Sequence, residues 1–153
     1  MELSFRLESA LRKLYTAFHE NKLNPEYCTQ CAVGNICDNL DFWQHLTDAH
    51  GAGRLNYVGL VNQKFGKRYF GYSPIELLQI EVAFLQGCGY ELPFKVGHKK
   101  PKNPTSKSVL FNGLCNTVKL LCELDNIPNV MEYAKLFETE EEKPRYQINE
   151  ILK

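Results

Sequence analysis

Five side chains able to hold a metal or exchange electrons fall between Tyr27 and Gly51, in "YCTQCAVGNICDNLDFWQHLTDAHG". They are Cys28, Cys31, Cys37, His45 and His50. Two residues separate Cys28 from Cys31, thirteen separate Cys31 from His45, and four separate His45 from His50. This C-x2-C-x13-H-x4-H pattern lies within the spacing of a two-cysteine, two-histidine zinc site. A C-x2-C turn brings two thiolates within one metal's reach. Two histidines about one helical turn apart can present ring nitrogens to the same ion, and Zn²⁺ takes four such ligands tetrahedrally. Cys37 is a third thiol within reach, able to replace a histidine. The expected site is therefore a zinc centre at Cys28, Cys31, His45 and His50, structural in role because four protein ligands leave no open position.

The intervening residues argue against a DNA-reading finger. That motif needs a hairpin between the cysteines and a basic helix across the histidines. Here "AVGNICDN" is not strand-like, and "DFWQHLTDAH" carries Asp41 and Asp48 with no Arg or Lys. Three other readings of the same residues stand beside zinc. A thioredoxin-like dithiol would need a strand before the C-x-x-C, and "LNPEYCTQC" contains none. An iron–sulfur cluster could combine Cys28, Cys31 and Cys37 with Cys88, Cys115 or Cys122, but the spacing follows neither ferredoxin pattern. Finally, the thiols can be small buried hydrophobes that happen to lie close in sequence.

The elements that must position these residues are helical. The chain has 153 residues, 44% of them hydrophobic and 24% charged, enough for one domain with a core of its own. Leu3, Leu7, Leu11, Leu14 and Phe18 stripe one face of a helix from about residue 3 to 20. Asn24-Pro25 has the form of a new helical start. Leu55, Val58, Val61 and Phe65 suggest a helix closed by Gly66, with a strand as the alternative. In "YSPIELLQIEVAFLQGCG", Ser73 fits an N-cap, Pro74 the first turn and Glu76 the third position of a capping box. That helix is expected to reach Gln86 and stop at Gly87. It is apolar around most of its circumference, so it should be central. A further helix starts near Thr105 or Ser106, with Leu110, Leu114, Val118 and Leu121 inward and Cys115 and Cys122 among its packing residues. Asn129 can cap a short last helix through Phe137, and residues 139–153 are expected to be mobile. The fold class is all-α: residues 1–153 as a single compact domain of five or six helices, with the candidate metal segment at 27–51.

Eighteen basic residues balance eighteen acidic ones, so no global field draws the chain to nucleic acid or an anionic membrane. The loop "LPFKVGHKKPKNPTSK" concentrates Lys95, Lys99, Lys100, Lys102 and Lys107, with Phe94 and His98 able to stack. Nucleic-acid binding there is the weaker expectation, because no aromatics are interleaved among the lysines. No run approaches a membrane span, and "MELSFRLESALRKLYTAFH" is too charged for a signal peptide. A cytoplasmic location with reduced or metal-bound cysteines is expected. No phosphate loop, dinucleotide fingerprint, nucleophile elbow or zinc-protease motif occurs, so the expected role is a non-enzymatic interaction module for an unidentified protein partner.

"MELSFRLESALRKLY", "QCAVGN", "GYSPIELLQIE", "KKPKNPT", "FNGLC" and "CELDNIPNVMEY" together span most of the chain. They resemble a family of short bacterial proteins that share their name with the flavin- and NADH-binding component of the Na+-translocating NADH-quinone reductase. The resemblance implies a redox protein, with an iron–sulfur centre or a dithiol. The reductase component of that name combines a membrane anchor, a ferredoxin-like domain with a four-cysteine [2Fe-2S] motif, and flavin and NADH domains. This chain departs from it in having no plant-type C-x4-C-x2-C spacing and no dinucleotide glycine pattern. No reductase residue therefore maps onto a position here.

Overall fold

A computed structural model of the chain describes residues 3–92, 94 and 96–127. Among these residues the fold is all-α, as expected. Its helices are α1 (Phe5–His19), α2 (Ala32–Ile36), α3 (Tyr57–Lys64), α4 (Pro74–Cys88) and α5 (Lys107–Leu124), with a 3-10 turn at Phe42–Leu46. The only extended pairing described is a single bridge between Tyr69 and Tyr72. The helix expected from Asn129 and the tail 139–153 lie outside the described residues.

The helix starts follow local chemistry. Ser4, Asn56, Ser73 and Ser106 each accept a hydrogen bond from the backbone N–H three residues on. Ser73 and Glu76 complete the capping box. Such caps contribute about 1 kcal/mol each. Asn24-Pro25 opens only a turn. The Asn24 side chain accepts from Glu26 N at 3.0 Å, and the next helix waits until Ala32.

Helix α4 is the centre of the domain. Only Gln79 and Gln86 along it are exposed, and Leu77, Leu78, Ile80, Phe84 and Leu85 are wholly buried. It packs most extensively along α5. The expected stop at Gly87 is corrected: the helix continues to Cys88, and Gly89 takes the left-handed cap at φ 104°. Gly87 has a different purpose. A Cβ there would lie 2.7 Å from Asn112 O and 2.8 Å from Gly113 Cα. It lets two helix backbones touch, which a pattern within one helix does not reveal. The same contact covers Cys88 and pushes its thiol up to about 12.

Arg6 of α1 ties the ends of α4 and α5 together. Its guanidinium donates to Gly71 O (2.8 Å), Glu76 Oε1 (3.0 Å), Asp125 Oδ1 (2.8 Å) and Leu124 O (3.1 Å), and lies 4.5 Å from the Tyr72 ring centre. "GKRYFGY" is therefore part of the scaffold. Phe70 takes Lys13 over its ring and Tyr69 packs on Phe42. Lys107 is likewise engaged, donating to Phe18 O at the end of α1. No described helix is long and apolar enough to cross a membrane.

Candidate functional site

The chain from Pro25 to Gln30 turns tightly into α2. Tyr27 O accepts from Gln30 N at 3.0 Å and from Cys31 N at 2.9 Å. Cys31 is the N-cap of α2, its sulfur accepting from Gly34 N at 3.4 Å and its thiol reaching Cys28 O at 3.6 Å. Cys28 O also accepts from Trp43 Nε1 at 3.0 Å, while the Cys28 thiol donates to Gln44 Oε1 at 3.3 Å. Asn35 closes the turn by donating to Gln30 O and Cys31 O, both at 3.0 Å.

His50 fastens this turn to the central helix. Its Nδ1 is 3.0 Å from Glu81 Oε2, and its Nε2 is 2.9 Å from Pro25 O. Glu81 is fully buried in α4, and its other oxygen accepts from Gly51 N at 2.9 Å. The Nδ1–H is not well aligned on Oε2, so charge attraction, more than an aligned hydrogen bond, holds the pair. Both ring nitrogens face oxygens that only accept, which calls for a doubly protonated imidazolium. Burial works against that charge, but the Glu81 carboxylate and the Pro25 carbonyl more than offset it and raise the His50 pKa above 6.5.

The thiols are shifted in the opposite sense from activated cysteines. Burial, with Asp41 and Glu81 adding to it, raises Cys28. Burial raises Cys31 much further, and Glu81 adds to it. Cys37 is pushed up to about 12 by burial, against a partial offset from Lys13. Activated and redox-active thiols have lowered values.

The expected four-ligand arrangement of Cys28, Cys31, His45 and His50 is not assembled here. Among the described residues no three Cys, His, Asp or Glu side chains are grouped to hold a metal. His45 sits exposed on the 3-10 turn. Cys37, the expected substitute, is buried beside Lys13 and Asp38 at the other end of α2. Cys28, Cys31 and His50 do share one neighbourhood, where His50 is engaged by Glu81. The physical reason is the run "LLQIEVAFL", which places one carboxylate in the core of α4 opposite the histidine. An acid inside the apolar middle of that helix, beyond the capping Glu76, was the available signal for Glu81, and spacing arguments confined to 27–51 pass over it.

A cleft opens beside this pair. A recess of about 390 Å³ is lined by Tyr27, Cys28, Gln44 and His50 among others. A larger cavity of about 690 Å³ runs along Tyr90, Phe94, His98, Lys99 and Lys100. Glu26 lines both. Phe94 bridges them, its ring centre 5.3 Å from His50 and 5.1 Å from Tyr90. Tyr90 donates to Glu26 Oε2 at 2.9 Å. The far rim is braced by Glu91, whose N–H donates to Lys99 O at 2.8 Å and whose Oε1 accepts from Lys99 N at 3.0 Å.

Compared with protein-family models, with curated proteins and with solved structures, the chain shows no match, so its function must be read from its own side chains.

Proposed function

We propose that this protein acts by binding, as a non-enzymatic helical interaction module whose binding surface is the cleft between the turn at 25–30 and residues 90, 91, 94 and 96–100. One observation carries the reading. The groups able to do chemistry around the cleft are engaged or protonated, while Phe94, Lys99 and Lys100 are exposed on its wall. His50 is held by Glu81 and Pro25, and the Cys28 thiol by Gln44. None of the six cysteines forms a disulfide among the described residues, which supports a reducing compartment such as the cytoplasm. Indole and benzoate serve as probes in amide-resolved NMR titrations. Shifts should cluster at Tyr90, Gly97 and His98. Shifts confined to the exposed Tyr57, Val58, Leu60 and Phe65 on and beside α3 would move the binding surface there and contradict the reading.

A second reading keeps structural zinc, favoured by one observation: Cys28 and His50 line the same recess, with the Cys31 thiol against the Cys28 carbonyl. Binding would require both thiols to ionise and His50 to leave Glu81, with the metal supplying the offsetting free energy. Metal analysis of protein purified without added metal separates the two. One zinc per chain, lost in Cys28→Ser, is the zinc result. No stoichiometric metal, and a melting temperature unmoved by chelator, is the result expected from the His50–Glu81 geometry.

A further inference from the structure

Resting on the cleft reading above, we infer that the cleft takes a nucleoside monophosphate, with its base on the Phe94 ring and its phosphate at Lys99 and Lys100. The cavity of about 690 Å³ lies inside the range of sites that enclose small molecules, roughly 300–1,000 Å³. Two kinds of recognition group converge on it. Phe94 lines the cavity and is 39% exposed, backed by the Tyr90 ring, which lies 5.1 Å away, is inclined by 43° and is only 6% exposed. Flat aromatic ligands use such a ring, and base stacking on aromatics contributes about 1–3 kcal/mol.

The second group is cationic. Lys99 and Lys100 line the cavity, are exposed, and have no side-chain partners among the described residues, unlike Lys107, which is fixed on α1. The backbone of Lys99 is nevertheless held by its two bonds to Glu91, and His98 Nδ1 lies 3.3 Å from Glu91 O. The rim therefore presents charge from an anchored backbone. Two carboxylates, Glu26 and Glu91, line the cavity as well and keep their charge, but neither forms an ion pair with Lys99 or Lys100 among the described residues. Glu26 accepts from Tyr90 and Glu91 accepts from Lys99 N. A ligand that is flat at one end and anionic at the other meets both groups. An aromatic ring alone, or an inorganic anion alone, meets only one.

Titration calorimetry with AMP, adenosine and inorganic phosphate tests this on the full chain at low salt. AMP should bind one saturable site at least about tenfold more tightly than either half. Lys99→Ala with Lys100→Ala should bring AMP down to adenosine, a loss of about fivefold or more. Phe94→Leu should bring AMP down toward phosphate by a similar factor. Unchanged melting temperatures keep these losses separate from misfolding. AMP binding no tighter than phosphate would overturn the inference. So would a ten-nucleotide single strand that binds far more tightly with a steep salt dependence, because the surface would then be a strand-binding one. Indole and benzoate binding at Tyr90 and His98 without AMP binding would remove the nucleotide and leave the cleft. Binding by none of these probes would remove both.

Discussion

Glu81→Leu is expected to destabilise the protein by about 3 kcal/mol, although it replaces a charge with an apolar side chain of similar size in the core. Two effects oppose each other. Removing a buried carboxylate removes its desolvation cost, which favours leucine. Against this, His50 loses its counter-charge and the Gly51 N–H loses its acceptor at 2.9 Å. An orphaned buried donor costs about 1–3 kcal/mol, and an orphaned charge more. The ring can shed its proton, which caps the total. Glu81→Gln keeps an acceptor for Gly51 and should cost less than Glu81→Leu. Chemical denaturation of the two variants gives the order. A neutral or stabilising Glu81→Leu would mean that the carboxylate does not hold the turn.

The same pair sets a pH dependence whose sign is fixed. The folded-state pKa of His50 is raised above 6.5. Its contribution is then fully present below about pH 6.5 and is lost as pH rises through the folded-state value. The charged and titratable neighbours are Glu81 itself and the Cys31 and Cys28 thiols, both already raised by burial and both coupled to Glu81. Unfolding free energy should therefore fall between mildly acidic and mildly alkaline pH, and this fall should flatten in Glu81→Gln.

Gly34→Ala should destabilise by about 2–4 kcal/mol, against the direction that helix propensity gives. Inside a helix, alanine normally exceeds glycine by about 1 kcal/mol. At Gly34, however, a Cβ would lie 2.3 Å from Cys28 O, 2.5 Å from Thr29 C and 2.7 Å from Thr29 O. All three are backbone atoms, so no side chain can swing aside. The turn would have to move, and Cys28 O would be displaced from Trp43 Nε1 and the Cys31 thiol. For a chain of this size the loss corresponds to a melting temperature lower by roughly 4–16 °C. An unchanged or higher value would show that the turn does not sit against α2. The substitution should also reshape the recess at Cys28, since the turn forms its wall.

Much of the helical frame is legible in local sequence. The stripe of α1, the capping box at Ser73 and the start at Ser106 each depend on residues within a few positions, and each stands where its pattern puts it. What is not legible depends on contacts between distant segments. Gly87 reads as a stop until α5 is seen against it. Arg6 reads as the polar face of a helix until Asp125, 119 residues away, meets it. The candidate site shows the same division. The tight turn brings Cys28 and Cys31 together locally, whereas His50 joins them through Pro25 and Glu81. Spacing also suggests His45 as a partner, but the 3-10 turn leaves His45 at the surface. Cys37 reads as within reach by count, yet α2 carries it to the opposite end, beside Lys13. Glu81 decides how His50 is used, and it lies 31 residues further along, inside a helix whose pattern marks it only as an odd charge. The cleft forms where the 25–30 turn meets the loop after α4, a pairing that neither segment encodes alone.

The protonation of the His50 ring is the direct measurement. Side-chain ¹⁵N NMR at pH 6.5, on protein purified without added metal, should show both ring nitrogens of His50 in the protonated range, with the signal moving toward a neutral ring in Glu81→Gln. A neutral tautomer in the native protein would contradict the fastening of the turn by a buried ion pair. A metal-bound nitrogen at His50 would contradict it as well, and would turn the reading to zinc.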